Sequence, residues 1–291
     1  MDFGKVITAM VTPFDEDLKV DFKALENLIE HLLENGTDTL LVAGTTGESP
    51  TLTDEEKLEL FKTTKTIVGN RAKIMAGTGS NNTQHSIELS RKAEKLGVDG
   101  LLLVAPYYNK PTQEGLYQHF KSIALAVDIP VVPYHVPGRT SVSLEPETLA
   151  QLSNIPNVIA VKDAGGNLDN TSKIRALAPD LVIYSGDDSL TLPMLALGCK
   201  GVISVASHIV GKDIKAMIDN FEKGKIQRAQ QIHLQLLDMF RGLFVITNPI
   251  PVKAALNEMG VKVGGLRLPL NNADENTLAI IKRLLKRYKL I

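Results

Sequence analysis

The sequence has little cysteine, no charge imbalance and no long apolar run. A single cysteine, Cys199, excludes an intramolecular disulfide and favours a reducing compartment. The 32 Lys and Arg residues balance 33 Asp and Glu residues, which argues against the basic surface of a nucleic-acid-binding protein. No run reaches membrane-spanning length, and the N-terminal MDFGKVITAMVTPF lacks the apolar stretch of a signal peptide. We therefore expect a cytoplasmic protein with no nucleic-acid or membrane partner.

Several familiar catalytic and ligand-binding motifs are also missing. The six histidines form no H-x-x-x-H pair. His135 and His208 both lie near strand ends but lack a clear third ligand, so we expect no metal site. The segment AGTGSNN lacks the complete dinucleotide fingerprint, and neither a Walker sequence nor a G-x-S-x-G elbow occurs. These absences argue against nucleotide binding and against a serine nucleophile.

The sequence does contain a regular alternation of short apolar runs and amphipathic helical stretches. The eight apolar runs are KVITAMV (5–11), DTLLVAG (38–44), AKIMAG (72–77), GLLLVA (100–105), PVVPYH (130–135), NVIAVK (157–162), LVIYS (181–185) and GVISVA (201–206). A capping box, Thr53 with Glu56, opens one of the intervening helices. Apolar strands alternating with helices predict a parallel sheet covered on both faces. Eight of them favour a closed (β/α)8 barrel, the TIM barrel, over an open sheet.

The chain is predicted to have two parts. A barrel of this type needs about 250 residues. The eighth strand is expected to end near 206 and its helix near 223, which makes 1–223 the catalytic barrel. Residues 224–291 contain three helical stretches, KIQRAQQIHLQLLDMFRGLF, PIPVKAALNEMG and ENTLAIIKRLLKRYKL. They predict a C-terminal helical appendage packed on the barrel.

The run VIAVKDA (158–164) places a lysine, Lys162, at the expected last position of strand 6. Apolar surroundings lower a lysine pKa from its reference of about 10.4, and a neutral amine can form a Schiff base with a ketone. Alternation puts Ala160 on the same face as Lys162, and Asp163 on the other. The alternative is a buried stem whose head reaches solvent or a carboxylate, and Lys162 alone favours that alternative.

Further candidates lie where barrel chemistry is found, at the C-terminal ends of the strands. Tyr134, near the end of strand 5, can pass protons between the lysine and a ketone, although a core aromatic is its ordinary role. The turn GTTGES offers the hydroxyls of Thr45 and Thr46 to a carboxylate or phosphate, unless it is only a tight turn. Arg139 is placed to clamp a carboxylate, though most loop arginines are solvated.

Two side-chain pairs at other strand ends are given structural interpretations. Tyr107 and Tyr108, on the loop after strand 4, are typical of an interface rather than of catalysis. Asp187 and Asp188, after strand 7, are interpreted as helix N-caps rather than as an acid and base pair.

An ordered series of motifs resembles a known family over nearly the whole chain. The motifs are GTTGES, PYYNKPTQEGLYQHF, YHVPGRT, VKDA, SGDD, GVISV, NPIPVKAAL and LRLPL. They resemble the pyruvate-dependent class I aldolases, the N-acetylneuraminate lyase family, and within it the members that join pyruvate to L-aspartate 4-semialdehyde. The resemblance implies formation of 4-hydroxy-tetrahydrodipicolinate for lysine and diaminopimelate biosynthesis, without metal or organic cofactor. It also implies a homotetramer built as a dimer of dimers.

The resemblance assigns roles motif by motif. It implies that Lys162 forms the Schiff base with pyruvate. Tyr134, Thr45 and Tyr108 are expected to form a proton relay, with Tyr108 supplied by a neighbouring subunit. The substrate-binding residues implied are Thr46 for the pyruvate carboxylate, Arg139 for the semialdehyde carboxylate, the Ile203 carbonyl beside the lysine, and Gly186.

The resemblance also implies a regulatory site and shows departures from the family pattern. His135 and His208 stand where the family usually has asparagine, at or beside the expected barrel mouth, and are expected to affect substrate range or turnover. The positions of the family's lysine effector site are Ser49, Asp54, Lys57, Asn81, His85 and Tyr107. Inhibited members often carry a glutamate where His85 stands, and Lys57 adds like charge. We therefore expect a degraded site at which lysine inhibits weakly or not at all.

Two other functions stay open at this point. An aldolase acting on 2-keto-3-deoxy sugar acids or sialic acid shares the lysine and the tyrosine, but its polyol substrate places no carboxylate opposite Arg139. A non-catalytic barrel that binds a keto acid belongs to another class, and it predicts binding without covalent capture.

Overall fold

Eight parallel strands close into a barrel within residues 2–291, the part of the chain that the computed structural model describes. Neighbours in sequence are neighbours in the barrel, and β8 pairs with β1 to close it. The strands are β1 (Val6–Ala9), β2 (Thr39–Val42), β3 (Lys73–Gly77), β4 (Gly100–Val104), β5 (Val131–His135), β6 (Ala160–Asp163), β7 (Val182–Ser185) and β8 (Gly201–Ser204). The predicted TIM barrel is confirmed. Strand β6 runs one residue beyond its predicted end, so Lys162 is its penultimate residue.

Helices cover the outside of the barrel and form the C-terminal part. They are α1 (Phe22–Glu34), α2 (Asp54–Val68), α3 (Thr83–Lys95), α4 (Gln113–Ala124), α5 (Pro137–Thr140), α6 (Pro146–Leu152), α7 (Leu168–Leu177), α8 (Thr191–Ala196), α9 (Ser207–Glu222), α10 (Ile226–Gly242), α11 (Ile250–Glu258) and α12 (Glu275–Arg287). The predicted capping box is present, since the Thr53 and Glu56 side chains each accept from the other residue's backbone N–H. Across residues 2–291, every helix is too short or too polar to cross a bilayer.

Alternate residues of each strand divide the core into two layers. One face of the strands packs against the surrounding helices, whereas the other fills the barrel interior with side chains such as Ile7, Met75 and Ile203. At the N-terminal end the interior is closed by Tyr184, whose hydroxyl donates to the Gly4 carbonyl at 3.1 Å. The interior is therefore packed with side chains, and the chemistry of such a barrel is expected at the C-terminal ends of the strands.

The three C-terminal helices lie where the sequence predicted helical stretches. Helix α10 packs along α9, and α12 packs on both α10 and α11. The segment between α10 and α11 returns to the barrel mouth, where Asn248 contacts Thr46. The division into domains at residue 223 stays a prediction, but this contact places part of the appendage at the site itself.

Candidate active site

The amine of Lys162 is held inside the barrel beside Tyr134. The strand register sets Tyr134 directly opposite Lys162, and the lysine Nζ lies 4.1 Å from the tyrosine ring centroid. Asp163 points the other way, where it accepts a hydrogen bond from Thr171 Oγ1 at 2.7 Å. The predicted alternation is confirmed. Lys162 is only 6% exposed, so its head group does not reach solvent, and the carboxylate whose charge acts on it is that of Asp188.

Burial dominates the electrostatics of the two facing groups. It lowers the pKa of Lys162 to about 7, an effect that Asp188 opposes and the nearby Arg139 cation reinforces. Burial also raises the pKa of Tyr134 to about 12, against the influence of Arg139 and the Thr45 hydroxyl. At neutral pH a substantial fraction of the amine is therefore uncharged and nucleophilic, while the phenol keeps its proton and can donate it.

The turn after β2 brings two threonines to the same end of the barrel. Thr45 is partly exposed and lines the cavity at the barrel mouth. Thr46 is buried, and its Oγ1 accepts a hydrogen bond from Asn248 Nδ2 at 2.9 Å. The two adjacent hydroxyls thus have different surroundings. Thr45 lines the cavity together with Tyr134, whereas Thr46 is hydrogen-bonded to the side chain of Asn248.

Arg139 stands at the mouth of the cavity on the short helix α5. Its Nη2 donates to the Asn248 carbonyl at 3.4 Å, and the residue is otherwise exposed. A guanidinium in this position keeps most of its donors free for an incoming anion.

Gly186 lies against the lysine just after β7, and Ile203 lies on β8 in the barrel interior. A Cβ at Gly186 would fall 2.6 Å from Ala164 Cβ, which is a clash, and 3.1 Å from Lys162 Cε, which would press on the lysine side chain. Ile203 is buried in the interior cluster that also contains Tyr134. The structure therefore brings Lys162, Tyr134, Gly186 and Ile203 together.

Tyr108 is the one predicted relay residue that does not join this group. Its side chain is 89% exposed, on the loop after β4, and its backbone has a positive φ of 73°. A large aromatic rarely occupies that backbone region or lies so fully in solvent. Within its own chain it lies outside the cavity lining.

A cavity of about 700 Å³ joins the barrel mouth to a groove between α2 and α3. Three predicted site residues line its barrel end, namely Thr45, Tyr134 and Arg139. All six predicted effector residues line its outer part: Ser49, Asp54, Lys57, Asn81, His85 and Tyr107. Lys162 is not part of this lining, whereas Tyr134, whose ring lies against the lysine amine, is.

The outer part of the cavity already contains a hydrogen-bonded acid and base pair. His85 Nε2 donates to Asp54 Oδ2 at 2.9 Å, which occupies the only carboxylate among the six residues. Lys57 is buried nearby, and burial lowers its pKa against the influence of Asp54. The one carboxylate among these six residues is therefore already hydrogen-bonded within the protein.

The two histidines that depart from the family pattern are structural. His135 is on the outer face of β5, where its Nδ1 accepts from the Leu144 backbone at 3.1 Å. His208 is fully buried, accepts from the Val11 backbone through Nε2, and has its pKa lowered to about 4 by burial. Neither lines the cavity. Alternation and helix packing turn both rings into the protein, so any effect on substrate range or turnover would be indirect and stays a prediction.

Sequence reasoning missed two residues of the site. Asp187 is the predicted N-cap, accepting from Ser189 N at 3.0 Å. Asp188, in contrast, is buried, accepts from the Val205 and Ala206 amides, and its charge acts on Lys162. Asn248 contacts both Thr46 and Arg139 from a distant part of the chain. Its only sequence signal was membership in the motif NPIPVKAAL.

Known proteins resemble this chain along its full length. The sequence profile of the Dihydrodipicolinate synthetase family matches residues 2–288. The 4-hydroxy-tetrahydrodipicolinate synthase of Dehalococcoides mccartyi is 55% identical over 99% of this chain and 97% of its own. A lysine-bound dihydrodipicolinate synthase structure from Cyanidioschyzon merolae is 46% identical, with a TM-score of 0.97 and 99% of both chains covered. A chloride-inhibited, pyruvate-bound synthase structure from Acinetobacter baumannii is 42% identical, with a TM-score of 0.97 and 100% of both covered. The chain therefore belongs to the dihydrodipicolinate synthetase family.

Proposed function

We propose that the protein condenses pyruvate with L-aspartate 4-semialdehyde through a Schiff base on Lys162, giving 4-hydroxy-tetrahydrodipicolinate for lysine and diaminopimelate biosynthesis. The observation that carries this proposal is the buried amine of Lys162, with its pKa lowered to about 7 beside the phenol of Tyr134. Full-length relatives that bear the name of this synthase support the choice of substrates.

The arrangement of groups fits the chemistry step by step. The neutral amine of Lys162 adds to C2 of pyruvate, and loss of water leaves an imine. Loss of a proton from C3 gives an enamine, whose carbon attacks the aldehyde carbon of the second substrate. The amino group of that substrate then adds to C2 and displaces the lysine, which closes the ring. Tyr134 and Thr45 are the groups in reach to move the protons, and Arg139 is placed to hold the semialdehyde carboxylate.

The second candidate, an aldolase for sugar acids, is less well supported. Arg139 presents a free guanidinium at the cavity mouth, which suits a carboxylate better than the uncharged hydroxyls of a polyol. A non-catalytic barrel that binds a keto acid is also less well supported. Burying the Lys162 amine lowers the stability of the protein. A barrel that only binds its ligand has no use for a neutral, nucleophilic amine, whereas Schiff-base formation requires one.

Borohydride trapping tests the proposal directly. The protein is incubated with pyruvate and borohydride, digested, and mapped by mass spectrometry. We expect one adduct, on Lys162, and no adduct in Lys162→Ala. Coupled assays with aspartate semialdehyde and with 2-keto-3-deoxygluconate then separate the two enzymes, and we expect turnover with the semialdehyde. Turnover by the Lys162→Ala variant at the wild-type rate would overturn the scheme.

Assembly, compartment and cofactor use belong to the same proposal. The exposed Tyr108 supports a dimer in which each subunit lends this residue to its neighbour, within a homotetramer built from two such dimers. Cytoplasmic location and independence from metal or organic cofactor also stay predictions. Size determination in solution and assay in the presence of a chelator test them.

A further inference from the structure

Two motifs have no role in the proposed reaction although they lie close to the site. NPIPVKAAL contains Lys253, on α11, and LRLPL contains Arg267, on the segment before α12. Glu48, near the end of the threonine turn after β2, accepts from the side chain of Lys253 and from the backbone N–H of Arg267. We propose that Lys253, Glu48 and Arg267 form a positioning network that holds Thr45 and Thr46 in register with Lys162. The inference rests on the proposed function, since it assigns the network a part in binding and activating pyruvate.

The centre of the network is a fully buried ion pair. Lys253 Nζ donates to Glu48 Oε1 at 2.9 Å, and both side chains are only 1% exposed. The same ammonium donates to the carbonyls of Thr12, at 2.9 Å, and Gly265. It also lies 4.4 Å from the centroid of the Phe14 ring. All three of its N–H bonds are therefore used, and burial lowers its pKa against the influence of Glu48.

Arg267 binds the second oxygen of the Glu48 carboxylate and connects the network to α2. Its backbone N–H donates to Glu48 Oε2 at 3.0 Å, so each oxygen of the glutamate has a partner from the C-terminal segment. Its guanidinium binds Glu56 at 2.6 and 2.8 Å and the Thr51 carbonyl at 2.8 Å. The chain from the threonine turn to the start of α2 is thereby attached at several points.

The backbone of Glu48 indicates why the attachment is needed. Its φ of 57° and ψ of 36° lie in the left-handed region, which disfavours any residue with a Cβ. Glycine or asparagine is the usual choice there, so a glutamate points to a requirement for its carboxylate. The same residue donates its backbone N–H to the Thr45 carbonyl at 3.1 Å. Fixing Glu48 therefore fixes Thr45.

A second contact reaches Thr46 from the stretch of chain that leads into α11. Asn248, two residues before α11, donates to Thr46 Oγ1 at 2.9 Å, and Lys253 lies one turn further along. One short stretch of chain thus contacts the turn on both sides of Gly47. Displacement of α11 would move both threonines together.

Stability alone is a weak explanation for the ion pair. The cost of removing two charges from water cancels much of their attraction, and apolar side chains of similar volume often stabilise a core equally well. A buried pair is better suited to fixing one geometry than to adding free energy. Small displacements of positioning groups cost enzymes up to about 100-fold in rate.

Glu48→Gln is the first test. The amide keeps the shape and one acceptor but presents an NH2 group to Lys253 or to the Arg267 N–H, so two donors face each other. We expect kcat/KM for pyruvate and the rate of borohydride trapping to fall about 10- to 100-fold. Arg267→Ala, at a half-buried side chain, is the milder second variant, and we expect a smaller loss in the same two quantities.

Two controls separate positioning from loss of stability. Leu285→Ala removes a buried side chain of α12 away from the network, and we expect a lower Tm with kcat/KM for pyruvate near wild type. In a cycle with Thr45→Ala, Glu48→Gln is expected to add little further loss, because Glu48 acts by fixing the position of Thr45. Three results would each overturn the proposal. They are losses of kcat/KM that multiply in the double variant, unchanged pyruvate trapping in both network variants, and an equal loss of kcat/KM in Leu285→Ala when its Tm matches that of Glu48→Gln. Wild-type protein that fails to trap pyruvate would instead refute the proposed function.

Discussion

A single buried amine determines the chemistry at the residue scale. Lys162 lies among apolar groups with Arg139 nearby, and both features favour its neutral form, while Asp188 opposes them. Burial has the largest effect on the pKa of Lys162. The reactivity of the amine therefore follows from its position inside the barrel near the end of β6, and not from one charged partner. This arrangement lowers the stability of the protein, because the amine of Lys162 is more easily protonated in the unfolded chain than in the folded one.

The stability of the protein should record this cost. The pKa of Lys162 is about 7 in the folded chain and 10.5 by reference, so the unfolded chain binds the extra proton between these values. The penalty is therefore full below pH 7 and fades as the pH rises towards 10.5. We expect Lys162→Met to raise Tm by a few degrees at pH 6 and by less at pH 9.5. Thermal denaturation of both proteins at the two pH values measures this, and a pH-independent difference would contradict it.

Arg139 should affect the second substrate and the lysine separately. Arg139→Ala removes a charged hydrogen-bonding group, so we expect KM for aspartate semialdehyde to rise about 10- to 100-fold. It also removes a cation that lowers the pKa of Lys162, so the pH midpoint of pyruvate trapping should move upward.

Arg139→Lys provides the matched control, because it keeps the charge but loses the guanidinium fork. We expect its trapping midpoint to stay near wild type while KM for the semialdehyde still rises. An unchanged KM for the semialdehyde in both variants would remove Arg139 from the substrate site.

At the scale of elements, the features that could be predicted from the sequence are those that depend on the periodicity of strands and helices. Strand alternation placed Lys162 inside the barrel and Asp163 outside, and strand ends located Tyr134 and the threonine turn. Pairing between distant segments has no such signal. Glu48 and Lys253 are 205 residues apart, and nothing local distinguishes a buried ion pair from two surface charges. The inward rotation of His208 at the start of α9 depends on tertiary packing in the same way.

The groove between α2 and α3 shows how two elements set a ligand preference together. Asp54 begins α2 and His85 lies in the first turn of α3, and their hydrogen bond spans the groove. An amino acid with a cationic side chain would have to displace His85 and approach Lys57. Both requirements weaken binding.

Lysine inhibition tests this view of the groove. We expect half-maximal inhibition of the wild type only above 1 mM lysine, on the order of the weak end of ligand affinities. His85→Glu frees Asp54 and adds a second carboxylate, so the inhibitory concentration should fall at least about 10-fold. Steady-state assays over a lysine series give both values. Submillimolar inhibition of the wild type, or no gain in His85→Glu, would refute the account.

At the scale of the whole molecule, one chain does not complete the proposed site. The barrel supplies Lys162, Tyr134 and Thr45, and the C-terminal segment supports the threonine turn through Lys253. The third residue of the proposed relay, Tyr108, is exposed on the loop after β4 and has a positive φ. A loop that presents an aromatic side chain outward serves a neighbouring copy better than its own chain.

Mixing two inactive variants tests whether subunits share the site. In Tyr108→Phe every site lacks the relay hydroxyl, and in Lys162→Ala every site lacks the amine. A mixed dimer contains one site with the Lys162 amine of one subunit and the Tyr108 hydroxyl of the other. After dissociation and reassembly of a 1:1 mixture, we therefore expect about a quarter of wild-type turnover, because half of the dimers are mixed and each has one intact site. A mixture that stays as inactive as its components would mean that Tyr108 does not cross between subunits.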